Sequence, residues 1–238
     1  MFRKASTDSQ VLLLLFVLAA PFFYVSCSQI KPDNSEQRLA SPYKEKIVIV
    51  GFYAAISKGG KPDVVRDPIS GAIFEAEPVS QDAVLKMTDI LFNRLVTEKR
   101  YNLISPGQAL GAYSSIMNSD TDVGADPVRL FQKVGMSFNA DAVLVGYVYR
   151  RRERDGTGYG VKRPASVALD LHLLRPSDGV ILWMSKFDKT QRSLSENILD
   201  LSTFIKGRGR WMTAEELASL GLEKLIKEMT SKAWQRKK

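Results

Sequence analysis

The chain has 238 residues, 45% hydrophobic and 25% charged, with a formal net charge of +8 at pH 7. That length suits one domain with long connections, and the apolar fraction is ample for a core, which excludes a low-complexity or disordered chain. One cysteine excludes an intramolecular disulfide, and one cysteine with one histidine excludes a metal site of the His/Cys type.

Arg3 and Lys4 open the chain, Val11 to Ala20 reads VLLLLFVLAA, and Pro21-Phe22-Phe23 leads into Tyr24-Val25-Ser26-Cys27-Ser28. A basic start, an apolar run and small residues at a cut are the layout of a secretory signal. The stretch from Val11 to Val25 is shorter than the roughly 20 residues of a spanning helix and contains Pro21, which opposes an uncleaved anchor. A plain signal peptide with Cys27 incidental is the other alternative. With Val25 and Ser26 ahead of Cys27, the segment resembles the lipobox of bacterial lipoproteins, with Tyr24 standing where that family usually has Leu. The resemblance implies a signal peptide over residues 1–26, cleavage before Cys27, a diacylglycerol on its thiol and an acyl chain (palmitate or similar) on its new amine. Each buried methylene contributes about 0.8 kcal/mol, so two or more chains hold firmly where one is marginal. Ser28 replaces the Asp that keeps enterobacterial lipoproteins at the inner membrane, and this implies the periplasmic face of the outer membrane.

Residues 27–44 form the lipidated cysteine and a polar tether, with a reach of about 20–25 Å as a flexible coil. A single periplasmic domain over 45–238 follows. Lys46 to Phe52, rich in β-branched residues, reads as its first strand. Tyr53 to Pro78 holds Gly59-Gly60, Pro62, Pro68 and Gly71 and reads as a long irregular loop. Apolar residues at helical spacing predict a helix from about Gln81 to Lys99, with Ser80 as N-cap. Tyr101 to Ile104 reads as a strand, Ser105-Pro106 opens a short helix to about Ile116, and Asn118 to Ala125 reads as a loop. Asp126-Pro127 starts a helix to about Met136, with Asp as cap and Pro in the first turn. Three strands follow: Ala140 to Arg150, Ala165 to Leu174, and Val180 to Phe187 after the turn Pro176-Ser177-Asp178-Gly179. Thr213-Ala214-Glu215-Glu216 is a capping box opening a last helix to about Lys232, with Leu217, Ala218, Leu222, Leu225, Ile226 and Met229 inward. The fold class is therefore α/β (α+β): a single mixed sheet with helices packed on it, ending in a three-strand antiparallel meander and a C-terminal helix.

Candidate chemistry is sparse. Ser166, Asp170 and His172 share one face of a strand and include the one histidine. Residues two and four apart on a strand stand roughly 7 and 13 Å apart, so a catalytic relay is not expected and the set reads as a polar outer sheet face, or one covered by a helix. Gly156-Thr157-Gly158-Tyr159-Gly160 is followed by a strand, not by the helix N-terminus a phosphate loop needs, and reads as a hairpin tip. Asn118, Asp120 and Asp122 begin like a calcium loop, but the glycine is displaced to Gly124 and Arg129 stands where Glu is required. No catalytic residue, metal or cofactor is assigned. Trp183 and Phe187 read as core, while Phe204 and Trp211, in a glycine-flanked loop, read as candidates for a contact surface. Basic residues cluster at Arg150, Arg151, Arg152 and Arg154, with Lys162 and Arg163 nearby, and again from Lys232 to Lys238. Solvated charge is the plain reading; for an exported chain, anionic lipid or cell-wall polymer is the expected counter-surface and nucleic acid is not.

The opening strand Ile47-Val48-Ile49-Val50, the amphipathic helix, the segment Ala140-Asp141-Ala142-Val143-Leu144-Val145-Gly146 and the turn Asp178-Gly179-Val180-Ile181-Leu182-Trp183 resemble the small α/β domain of envelope lipoproteins. That group includes the curli-secretion lipoprotein, the lipoprotein activators of penicillin-binding proteins and the N-terminal domain of the Tol-system protein. The resemblance implies a lipid-anchored outer-membrane lipoprotein, non-catalytic, serving as an interaction or accessory module in envelope assembly or transport. Attachment to the membrane is expected by that anchor; for an envelope-protein partner the expected surfaces are the Arg150–Arg163 hairpin and the Ile198–Trp211 loop, and oligomeric state is left open. A small-ligand or lipid-binding accessory subunit of an envelope transporter is the alternative.

Overall fold

The computed structural model describes residues 44–119, 126–192 and 210–234. By its contacts the chain divides into Met1–Pro42 and Tyr43–Lys238, and every described residue belongs to the second unit. The predicted signal peptide, Cys27, the tether up to residue 43, Phe204 and the acidic residues of the calcium-like segment lie outside the described residues, as do 235–238.

Five strands form one mixed sheet: β1 (Lys46–Ala54), β4 (Asn102–Ile104), β5 (Ala142–Arg152), β8 (Ser166–Leu174) and β9 (Ile181–Thr190). Their spatial order is β4-β1-β5-β8-β9, with β1 parallel to both β4 and β5 and the last three antiparallel. This is the predicted mixed sheet with a closing meander. The elements between the parallel strands serve as crossovers, which parallel pairing requires.

One face of the sheet carries α1 (Gln81–Glu98) and the C-terminal helix α4 (Ala214–Lys232). Ile47 and Ile49 of β1, Leu144 of β5 and the odd-numbered Val167, Leu169, Leu171 and Leu173 of β8 pack there against Met87, Leu91, Leu95, Leu217, Leu222 and Leu225. Trp183 and Phe187 are buried in this layer as expected. Both helices start where their capping residues dictate. Ser80 accepts from the Ala83 amide, and the Thr213–Glu216 capping box is complete in both directions.

Gly221 allows α4 to lie close to the sheet. A Cβ there would sit 2.5–2.8 Å from the Phe187 ring. Gly221→Val is expected to cost about 1–3 kcal/mol of unfolding free energy by overpacking, read from the urea midpoint. Far-UV circular dichroism of the variant is expected to keep its helical signal.

The other face is covered in two parts. At the β4 side lie α2 (Pro106–Ser119) and α3 (Pro127–Ser137), whose Ala109, Phe131 and Val134 pack on Val48, Val143, Val145 and Leu174. Asp126 caps α3 as predicted. At the other end the cover is a β-hairpin, β2 (Asp63–Arg66) paired with β3 (Ile73–Ala76). This corrects the reading of Tyr53–Pro78 as an irregular loop. The strands have four residues each and are separated by Asp67–Ala72, so their alternation is too brief to stand out among the glycines and prolines around them. Asn118 belongs to α2 and is helical, not a loop residue.

The segment from Asp155 to Arg163 is a second small hairpin, β6 (Asp155–Gly156) with β7 (Val161–Arg163), as the glycine-rich tip predicts. No helix among the described residues is long and apolar enough to cross a membrane.

Candidate functional site

All nine residues of β8 are buried, including Ser166, Asp170 and His172. The expectation of a polar outer face is therefore corrected: the β2–β3 hairpin covers it, with α3 packed on the Leu174 end. Phe74 of β3 stacks on Tyr149 of β5 at 3.8 Å between ring centroids and 6° between planes. Ala76 and Ala168 complete that apolar contact, and the Lys186 ammonium lies 5.3 Å over the Phe74 ring. The pairing of β5 with β8 shifts register between Val148 and Arg150, which leaves Tyr149 without a partner of its own in β8. The edge of the hairpin is tied down by the Glu77 amide donating to the Tyr149 carbonyl at 2.7 Å.

Beneath the hairpin, four polar side chains meet. Asp67 sits in the hairpin turn and uses its two oxygens differently. Oδ1 accepts from the Ile69 amide at 3.1 Å, the Ser70 hydroxyl at 2.7 Å and the Ser70 amide, closing its own turn. Oδ2 faces inward and lies 2.7 Å from the Tyr149 hydroxyl. The same hydroxyl lies 2.7 Å from Oδ2 of Asp170, whose Oδ1 accepts from the Tyr147 amide at 3.1 Å. His172 Nε2 stands 3.2 Å from Asp170 Oδ2 and 3.4 Å from Asp67 Oδ2. Neither nitrogen of the ring closes a hydrogen bond among the described residues, although the side chain is 1% exposed.

A phenol has one proton to donate, so Tyr149 bonds fully to only one of the two carboxylate oxygens 2.7 Å away unless one aspartate is itself protonated. Burial pushes the Asp170 carboxyl up, against the opposing pull of His172 and Tyr149. Burial opposes the Asp67 anion as well, but His172, the Ser70 amide and hydroxyl, and Tyr149 together hold that carboxyl well below the usual range. Burial would depress the imidazole of His172; the carboxyls of Asp170 and Asp67 overcome this and raise it to about 9. These shifts favour an Asp67 anion beside a His172 cation and bias Asp170 toward its neutral form, which keeps the net buried charge small.

Ser166 does not join them. Its hydroxyl accepts from Arg150 Nε at 2.7 Å and lies 2.6 Å from the Thr190 hydroxyl. The serine relay therefore does not form, in line with the expectation. The contact between Asp170 and His172 was missed by the spacing argument, because side chains lean along a strand and meet above it although their Cα atoms stand well apart. Asp67 and Tyr149 were missed altogether. Asp67 followed by a proline within a glycine-containing segment carries a turn signal, but nothing nearby marks it as a partner of the sheet.

The predicted basic surface separates into inner and outer members. Arg150 is buried, paired with Asp188 and donating to the Glu75 carbonyl at 3.1 Å, so it locks the hairpin to the sheet and offers no charge to solvent. Arg152 pairs with Glu77 at 2.7 Å. Arg154 donates to the Trp211 carbonyl, and the Trp211 amide donates to the Gly158 carbonyl at 2.8 Å. Trp211 is half-buried, while Lys162 and Arg163 are exposed beside Tyr159, and Arg151 is half-buried. The β6–β7 hairpin and the segment before α4 thus form one continuous piece of surface.

No protein-family model matches the chain, and no curated protein matches it in sequence. Its fold is similar to several solved structures. PelC from Paraburkholderia phytofirmans, a dodecamer, is 15% identical at a TM-score of 0.43, over 77% of this chain and 85% of that one. The C-terminal domain of LpoB from Salmonella enterica is 16% identical at 0.37, over 66% of this chain and 92% of that one. The lipoprotein GNA1162 from Neisseria meningitidis is 16% identical at 0.38, over 68% and 96%. One of these neighbours is named as a lipoprotein.

Proposed function

We propose that the protein is a lipid-anchored lipoprotein of the outer membrane, facing the periplasm, and that its domain is a non-catalytic interaction module for an envelope assembly or transport system. The observation that carries this reading is Cys27, the one cysteine of the chain, placed after a basic start and an apolar run. A second consideration supports the absence of catalysis. His172, the one histidine, is roofed by the hairpin together with both its aspartates, out of reach of any substrate. The surface that meets a partner is the β6–β7 hairpin with Arg151, Lys162 and Arg163, joined through Arg154 to Trp211, and with Tyr159 at its tip 92% exposed. An acidic protein face or an anionic polymer suits that combination of cations and an aromatic ring.

Metabolic labelling with a palmitate analogue tests the reading. Label is expected on the wild type, in the outer-membrane fraction, and none on Cys27→Ala. An unlabelled wild type would overturn the anchor and with it the assignment to the outer membrane.

A further inference from the structure

We propose that Asp67, Asp170 and His172 form a buried binding site for a single divalent transition-metal ion of the zinc class. Each residue offers one ligand atom, and the three atoms lie within 4.8 Å of one another. The spacing is the first argument. His172 Nε2 lies 3.4 and 3.2 Å from the Oδ2 atoms of Asp67 and Asp170. A tetrahedron with metal–ligand bonds of about 2.0–2.1 Å has edges of about 3.3–3.4 Å, so the two nitrogen-to-oxygen separations are those of ligands around one small ion.

The imidazole supplies the second argument, independent of the carboxylates. It is almost wholly enclosed, it closes no hydrogen bond at either nitrogen among the described residues, and its Nε2 points at the two oxygens. A buried polar group normally has a partner, and an orphan one calls for an explanation. An ion held at Nε2 is such a partner. Charge is the third argument. Two carboxylates and a neutral imidazole around a dication sum to zero, so the loaded site carries no net buried charge.

The donor set selects among ions. Calcium and magnesium take six or more oxygen ligands, and three protein ligand atoms that include a ring nitrogen do not suit them. One imidazole with two carboxylates suits zinc and its first-row neighbours. The Tyr149 hydroxyl, 2.7 Å from both ligating oxygens, is placed to donate its one proton to either of them and so to orient one carboxylate at a time. Two ligands come from β8 and the third from the turn of the β2–β3 hairpin, so the ion fastens the hairpin to the sheet.

The test uses the full chain without a polyhistidine tag, freed of metal by a chelator, loaded with zinc alone and desalted. Elemental analysis is expected to find one zinc ion per chain, and the melting temperature to rise on loading. Asp67→Asn keeps the oxygen that closes the turn but loses the ligand charge. It is expected to weaken binding by at least the ~10–100-fold that loss of an outer partner costs a metal site. Tyr149→Phe, which retains all three ligands, is expected still to bind. X-ray absorption on the zinc-loaded wild type needs no variant to fold. Since the chain has one histidine, an imidazole signature in the zinc shell can come only from His172. Absence of retained zinc, an all-oxygen shell, or zinc held equally by a folded Asp67→Asn would each overturn the proposal.

Discussion

Replacing His172 with leucine is expected to destabilise the domain by about 3–5 kcal/mol, measured as a fall in the denaturation midpoint in the presence of a chelator. The magnitude follows from what remains. His172 is the cation within a buried group that also holds Asp67 and Asp170, while Arg150 of the same sheet face is engaged with Asp188 and Ser166 and the Lys186 ammonium lies over the Phe74 ring. Leucine fills the space but leaves the Asp67 anion facing an apolar neighbour. The double variant His172→Leu with Asp67→Asn is expected to recover part of the loss, because the uncompensated charge leaves with its partner. Additive losses in the double variant would show that the two residues are not coupled and that packing alone sets the cost.

Tyr149 is the second large effect, and two substitutions divide it. Tyr149→Phe removes the hydroxyl between the two aspartates and is expected to cost about 1–3 kcal/mol, the penalty of leaving buried polar groups with one partner fewer. Tyr149→Ala also removes a fully buried ring and its stack on Phe74, and is expected to cost about 3–5 kcal/mol. Both are read by urea titration. Equal losses for the two would mean that the ring contributes nothing beyond its hydroxyl, contrary to the 3.8 Å stacking.

Much of the fold is legible in local chemistry. Ser80, Asp126 and Thr213 are capping residues whose role depends on atoms two or three positions away, and each helix starts where they stand. The turn at Pro176–Gly179 and the odd-numbered apolar face of β8 are local in the same sense. The even-numbered face of β8 misleads, because serine, aspartate and histidine in alternation look like residues that face water. They are inside because the hairpin covers them, Asp170 beside Tyr149 and Asp67, and Ser166 bonded to Arg150 and Thr190. That cover consists of two strands of four residues, and the contact between Asp67 and Tyr149 spans 82 positions. A capping box declares itself within four residues, while a buried ion cluster assembled from three distant segments has no local signature. Arg150 shows the same limit in the basic patch: it stands in a run of arginines, and only its contacts with Ser166, Glu75 and Asp188 reveal that it points inward.

The placement of the β2–β3 hairpin has a consequence for the order in which the chain assembles. A chain emerging from its N-terminus delivers Asp67 long before Tyr149, Asp170 and His172 exist as a surface to receive it. Until β8 pairs with β5, the aspartate has only its own turn to bind and its inward oxygen faces water. The meander of β5, β8 and β9 is built from contacts close in sequence and closes short loops, whereas docking the hairpin closes a long one. The hairpin therefore seats Asp67 only once the meander has formed the surface that receives it.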